Sequence, residues 1–408
     1  MARSTFTGLL FAALGCLSRA RASPVWTFYP LYDPLAVCLD GSNAGYYLGP
    51  PASKGGVGSF LIHVQGGGWC TSLDDCANRA GTHYGTSTVW TKRGSCPDSA
   101  NPACWGDNTD GQPDGLNSFD PSVNPLFASS QHVVVPYCDG ASFSGALSAP
   151  VAYNATLSLH FRGRYILAAV FSALAARHGL GGAHEVLFKG CSAGGMAVIL
   201  HADFVGGLVR AASPGARFAA SPGAGLFLDR PAFQKNASFS SLLLWAAAVQ
   251  NVSGSVNAAC AAAEAEPLRC FLPTVSLPYV ATPLFLSNSL TDSCALEFLM
   301  ELGCDGRVAP GGAGACSAAQ LTYVSDYRAL MLVLVRPLLS KNAAHGGFFQ
   351  ACWTHIVEND PVAWNVTTVE GQTQASTFAA WWRGARGVAV FDGEWGTNPT
   401  CSNRGGCD

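Results

Sequence analysis

The chain has 408 residues, 49% of them hydrophobic and only 12% charged, against roughly 25% charged in ordinary soluble domains. This composition excludes disorder as the main state, whose signature is few apolar groups and many charges. A net charge of −3 with no run of Lys or Arg lacks the basic footprint of a nucleic-acid binder. Sixteen cysteines are too many for an ordinary cytosolic enzyme and point to an oxidising compartment.

Arg3 stands ahead of an apolar run at 6–17, and Ala20-Arg21-Ala22 supplies a cleavage pattern before Ser23. The run is too short to cross a bilayer, which takes about 20 residues. Residues 1–22 are therefore read as a signal peptide and residues 23–408 as one domain. Cleavage removes Arg3, Arg19 and Arg21, so the net charge falls from −3 to −6. No later stretch is long and apolar enough for a membrane span, and the polar end, CSNRGGCD, carries no lipidation signal. Four sequons, at Asn154, Asn236, Asn251 and Asn365, suit a glycosylated secreted protein.

Apolar runs at 60–64, 132–136, 185–188 and 283–287 read as strands of a parallel sheet covered on both faces. Residues 71–125 are rich in Gly, Ser, Asn, Asp and Pro and hold Cys76, Cys96 and Cys104. They read as a disulfide-held loop insertion rather than a separate domain. Residues 160–179 carry a helical pattern, with Leu167, Val170, Phe171 and Leu174 on one face and Gly179 as a stop. Alternating strands and helices predict an α/β fold.

The strongest motif is KGCSAGGMAVILHADF at 189–204, where a strand runs into Gly190-Cys191-Ser192-Ala193-Gly194 and then a helix-compatible stretch. A G-x-S-x-G in that context is a nucleophile elbow, with Ser192 presented at the head of a helix. The second motif is HVQGGGWC at 63–70, directly after a strand. Consecutive glycines leave backbone N–H groups unobstructed, so Gly67 and Gly68 are candidate oxyanion donors beside Ala193, the residue after the nucleophile.

A serine nucleophile needs a base and an orienting carboxylate, which in this class follow it in the order acid, then histidine. After Ser192 the histidines are His201, His345 and His355. His201 falls within the helix and points elsewhere. His345 sits in AAHGG, read as an exposed loop, and His355 in QACWTHIVEND, read as a loop pinned near a core; His355 is preferred and His345 stays open. Asp292 follows a strand at its C-terminal end, where this class places its sites. Asp305 and Asp326 are alternatives with weaker context.

These residues resemble the pectin acetylesterase family, which includes the Wnt-deacylating enzyme Notum. The matching segments are AVCLDGSNAGYYLG (36–49), HVQGGGWC (63–70), PYCDGASFSG (136–145), HFRGRYILAAV (160–170), KGCSAGG (189–195), SNSLTDS (287–293) and GGFFQACWTH (346–355). The resemblance implies an α/β-hydrolase fold with a mostly parallel sheet, and a secreted serine esterase of the cell wall or extracellular space. It implies catalysis by Ser192, Asp292 and His355, with Gly67, Gly68 and Ala193 as oxyanion donors. The implied substrate is acetylated polysaccharide, pectin above all; a Notum-like deacylase of longer acyl esters is the alternative, and pocket depth beside Ser192 separates the two. Three positions depart from the plant pattern: Cys294 where plant members have Trp, Ile356 where they have Cys, and Gly223 where they have Asp.

No C-x₂-C pair and no H-E-x-x-H occurs, so no metal or other cofactor is expected. A monomer is expected. Cys16 leaves with the signal peptide, and Cys191 is expected to be buried and outside any bridge. Proximity in sequence pairs Cys70–Cys76, Cys96–Cys104, Cys260–Cys270 and Cys401–Cys407, and the family motifs add Cys38–Cys138. Cys294, Cys304, Cys316 and Cys352 remain, with three pairings open.

Overall fold

The computed structural model describes residues 26–50, 58–90, 114–234, 238–308, 311–403 and 407. Its strands in chain order are β1 (Thr27–Pro30), β2 (Gly45–Leu48), β3 (Ser59–Val64), β4 (Gln131–Val135), β5 (Val151–Ala152), β6 (Ser158–Leu159), β7 (Glu185–Cys191), β8 (Arg217–Gly223), β9 (Phe285–Ser289), β10 (Gly346–Gln350), β11 (Thr368–Val369), β12 (Gln372–Thr373) and β13 (Ala389–Phe391). The helices are α1 (Leu73–Ala80), α2 (Gly163–Arg177), α3 (Ala193–Ala212), α4 (Phe239–Val249), α5 (Ala258–Ala263), α6 (Pro273–Ser276), α7 (Ala318–Lys341), α8 (Pro361–Asn365) and α9 (Gln374–Trp382).

Nine strands form one sheet in the order β1-β2-β4-β3-β7-β8-β9-β10-β13. Only the β1–β2 and β2–β4 pairs are antiparallel; from β4 to β13 the ladder is parallel. Alternate side chains fill two cores. Phe60, Ile62, Val186, Phe188, Leu286 and Phe349 pack under helices α2, α3 and α7. Leu61, Leu187, Phe285 and Phe348 face Trp364, Phe378, Trp381 and Trp382 of α8 and α9. Burial on both faces explains the near-continuous apolar runs.

The four expected strands are present with shifted ends. The second stops at Val135, before Pro136, which has no N–H to give a ladder, and the fourth starts at Phe285, since Leu284 N–H is taken by His345 Nδ1. The third runs on to Cys191. The expected helix spans Gly163–Arg177, and Gly179 follows in the left-handed region at φ 76°. Strands β8 (RFAASPG) and β10 (GGFFQ) escaped the sequence reading, since neither has strand-like composition; pairing between neighbours decides them. Among the described residues α3 is a helix long and apolar enough to cross a membrane, but it is a core helix and mostly buried.

The segment 71–125 is not all loop. Residues 73–80 form α1, N-capped by Ser72, which accepts a hydrogen bond from Asp75 N–H at 3.1 Å. Cys96 and Cys104, and with them their expected bridge, lie outside the described residues.

Five disulfides occur among the described residues, and Cys38–Cys138 and Cys260–Cys270 are as expected. The expected Cys401–Cys407 bridge is corrected: Cys401 bonds Cys352 and Cys407 bonds Cys294. The tail lies along the loops that follow β9 and β10, where Asn403 Oδ1 accepts from Trp353 N–H and Asp392 Oδ2 from Ala351 N–H. Contact in space thus overrides nearness in sequence. Cys304 pairs with Cys316. Cys70 and Cys76 are also corrected, being buried free thiols rather than a bridge. Cys191 is buried and takes part in none of the five bridges.

Opening the Cys352–Cys401 link, which spans 49 residues, by changing both to Ser should lower stability by about 2–4 kcal/mol. The check is the denaturant midpoint at constant m; an unmoved midpoint would show that this bridge does not stabilise the tail.

Candidate active site

Strand β7 ends at Cys191, Ser192 makes the turn, and α3 begins at Ala193. Ser192 sits at φ 59°, ψ −129°, a conformation that non-glycine residues avoid. The turn is tight because the chain comes close to β3: a Cβ on Gly194 would lie 2.2 Å from the Val64 carbonyl. Ser192 N–H donates to the Gly223 carbonyl at 3.0 Å, which locks the elbow to β8. The side chain stands at the N-terminus of a 20-residue helix, where developing negative charge is favoured. It opens into a cavity of about 420 Å³ also lined by Gly67, Gly68 and Ile356.

Asp292 and His355 come together from the ends of neighbouring strands β9 and β10. His355 Nδ1 lies 2.8 Å from Asp292 Oδ2 and 2.9 Å from Oδ1, with both side chains buried. Asp292 Oδ1 also accepts from Ala295 N–H at 2.9 Å, which orients the carboxylate. The opposite ring nitrogen, Nε2, is buried and has no hydrogen-bond partner among the described residues. Each loop carries a staple: Cys294–Cys407 beside the aspartate and Cys352–Cys401 beside the histidine.

His345 is not in an exposed loop. It is buried just before β10, where Nδ1 accepts from Leu284 N–H at 3.0 Å and Nε2 meets Asn342 Nδ2 at 2.9 Å. That is the opposite edge of the sheet from Ser192. Burial holds its pKa below the usual histidine value. His201, deep in α3, meets Ser144 Oγ at 2.9 Å, and burial pushes its pKa down to about 3. Asp305 pairs with Arg307, and Asp326 with Arg230.

The glycine turn after β3 is held by its carbonyls. Arg79 Nη1 donates to Gly67 O at 2.7 Å, and Tyr137 Oη donates to Gly68 O at 2.7 Å. Cys70 N–H donates to Gly140 O at 2.9 Å, and Trp69 Nε1 to Ser142 Oγ at 2.8 Å. Gly67 adopts φ 153°, and a Cβ there would strike the Tyr84 and Tyr137 rings. In a planar trans peptide the N–H points away from its carbonyl. Anchoring Gly67 O and Gly68 O therefore directs the N–H groups of Gly68 and Trp69 to the other side. The orientation of the Trp69 N–H was not legible in the sequence, since no motif reveals which carbonyls find partners. Tyr137 lies in the PYCDGASFSG segment, whose fully buried Asp139 has a pKa raised to about 7 by burial, with the Phe143, Ala141 and Ser144 amides opposing the shift.

The cavity is mainly apolar. Trp69, Phe227, Phe239 and Ile356 lie inside, with Leu242 and Phe298 at the rim, 45% and 60% exposed. Besides Ser192, its charged and hydroxyl neighbours are Thr71, Arg79, Tyr84 and Glu301. Among the described residues, the cluster Cys352, Asp392 and Cys401 has the spacing of a metal site, but its sulfurs form a disulfide. Asn154, Asn251 and Asn365 are exposed, and Asn236 lies outside the described residues.

The profile of the family described as Pectinacetylesterase matches residues 31–402. The chain belongs to the pectin acetylesterase family. Pectin acetylesterase 5 of Arabidopsis thaliana is 30% identical over 386 residues, covering 90% of this chain and 82% of the relative. The palmitoleoyl-protein carboxylesterase NOTUM of Drosophila melanogaster is 29% identical over 273 residues, covering 64% of this chain and 36% of its own. The crystal structure of the Wnt deacylase Notum from Drosophila superposes with a TM-score of 0.74 at 22% identity, over 92% of this chain and 99% of that one. The fold is thus that of an α/β-hydrolase, and family membership makes the protein a carboxylic ester hydrolase.

Tyr137→Phe removes the hydroxyl that holds the Gly68 carbonyl and is expected to lower kcat about tenfold with little change in KM. The loss should fall short of the roughly 10²–10³ seen on deleting an oxyanion donor outright. Steady-state kinetics on an activated acetate ester measure it, and an unchanged kcat would separate the hydroxyl from catalysis.

Proposed function

We propose that the protein is a serine carboxylesterase in which Ser192 is the nucleophile, His355 the base and Asp292 its orienting partner. The observation that carries this reading is the buried Asp292–His355 pair at the strand ends, next to Ile356, which lines the same cavity as Ser192. His355 Nε2 takes the Ser192 proton while Oγ attacks the ester carbonyl, and Asp292 stabilises the imidazolium. The tetrahedral oxyanion is met by Ala193 N–H at the helix head and by amides of the glycine turn. The anchored carbonyls orient the Gly68 and Trp69 amides, so Trp69 joins Gly67 and Gly68 as a candidate donor. Each such donor is worth about 3–4 kcal/mol. The alcohol leaves with the proton from His355, and water, deprotonated by His355, releases the acid from the acyl-enzyme.

The substrate of this reading is an acetyl ester on a cell-wall polysaccharide of pectin type, as the names of the full-length plant relatives suggest. The chain acts outside the cell, exported through residues 1–22 and glycosylated at exposed sequons, a setting that suits its disulfides. The cavity favours a second reading, deacylation of longer esters. Its 420 Å³ and apolar lining exceed the needs of an acetyl group and suit an alkyl or aromatic acyl chain.

Ser192→Ala should abolish turnover of an activated acetate ester, by at least about 10³-fold, while leaving the melting temperature in place. Retention of most activity would sink the assignment. Acetate release from acetylated pectin compared with hydrolysis of an octanoyl ester decides between substrates. If the longer reading holds, Phe298→Asp raises KM for the octanoyl ester severalfold and leaves that for the acetyl ester alone.

A further inference from the structure

Strand β7 contains a residue that its setting does not explain. Every other side chain from Val186 to Cys191 is apolar or absent, yet position 189 is a lysine, and its side chain is fully buried. Lys189 Nζ lies 2.9 Å from Glu358 Oε1, also fully buried, 2.9 Å from Asn117 Oδ1 and 2.7 Å from Asn359 Oδ1. Two of the ammonium N–H groups thus have amide acceptors, and the carboxylate supplies the opposite charge. Glu358 Oε2 accepts from Ser221 Oγ at 3.3 Å, and the Glu358 carbonyl accepts from Leu116 N–H at 2.9 Å. Taking both charges out of water costs as much as their attraction returns, and apolar residues of similar volume would serve stability as well or better. A break in the local pattern without a stability gain marks a functional constraint.

The position of the pair supplies that constraint. Lys189 stands three residues before Ser192, and Glu358 three residues after His355. On its other side His355 is held covalently, again three residues away, by Cys352–Cys401. We propose that Lys189 and Glu358 are positioning residues, a buried strut that fixes the His355 loop against the strand bearing Ser192. The strut does not touch substrate. It sets the distance and angle between base and nucleophile, which the Asp292 contact alone leaves free to pivot. This proposal rests on the triad reading above.

The test is the double variant Lys189→Met/Glu358→Met, which removes both charges and strands neither. The expected result is a folded protein whose melting temperature stays within a few degrees. Its kcat falls at least tenfold with KM within about twofold, and a fluorophosphonate labels Ser192 correspondingly more slowly; small misplacements of reacting groups carry losses of this size. Wild-type kcat and labelling rate in the folded double variant overturn the proposal and leave the pair a packing feature. Should that variant not fold, Asn359→Ala removes one lysine acceptor without touching charge. It is expected to lower kcat severalfold at constant KM, and an unchanged kcat overturns the proposal. Ser192→Ala in the wild-type background separates the two ideas: if it stays active and the label lands elsewhere, the triad reading fails, whatever the strut does.

Discussion

A parallel sheet puts the carboxyl ends of its strands along one edge, and the candidate chemistry depends on that edge. The glycine turn follows β3, the serine elbow follows β7, Asp292 follows β9 and His355 follows β10. Strand β8 separates the serine strand from the acid strand, and Ser192 N–H is tied to its last residue, Gly223. No loop has to reach far. The geometry follows from register, and a parallel ladder with both faces buried cannot slip without exposing a core.

Loops on such an edge are inherently mobile, and this chain restrains them in three ways. Covalent links tie the aspartate and histidine loops to the C-terminal tail. Hydrogen bonds to Gly67 O and Gly68 O fix the carbonyls of the glycine turn. A fully buried ion pair joins the histidine loop to β7.

Much of the site was legible because catalytic motifs are local. Gly190 to Gly194 and Gly66 to Trp69 are contiguous, and each announces a tight turn in which glycine lets the chain pass close to its neighbours. His345 and His355 could not be separated by neighbours alone. One lies at the start of β10 and the other beyond its end, and only the strand between them reveals that they face opposite edges of the sheet. The cysteines show the same limit. Cys401 and Cys407 are six positions apart yet bond to partners in two different loops.

By itself, the sequence determined the α/β class and the elbow serine, since periodicity and glycine-rich turns are short-range properties of the chain, and its long matching segments carried the resemblance to the family. The tertiary structure alone decided which carbonyls are anchored, which cysteines meet, how large and apolar the cavity is, and that Lys189 finds Glu358. Those depend on distances between segments remote in sequence, such as residues 189 and 358, which are set by strand order and packing rather than by any local pattern.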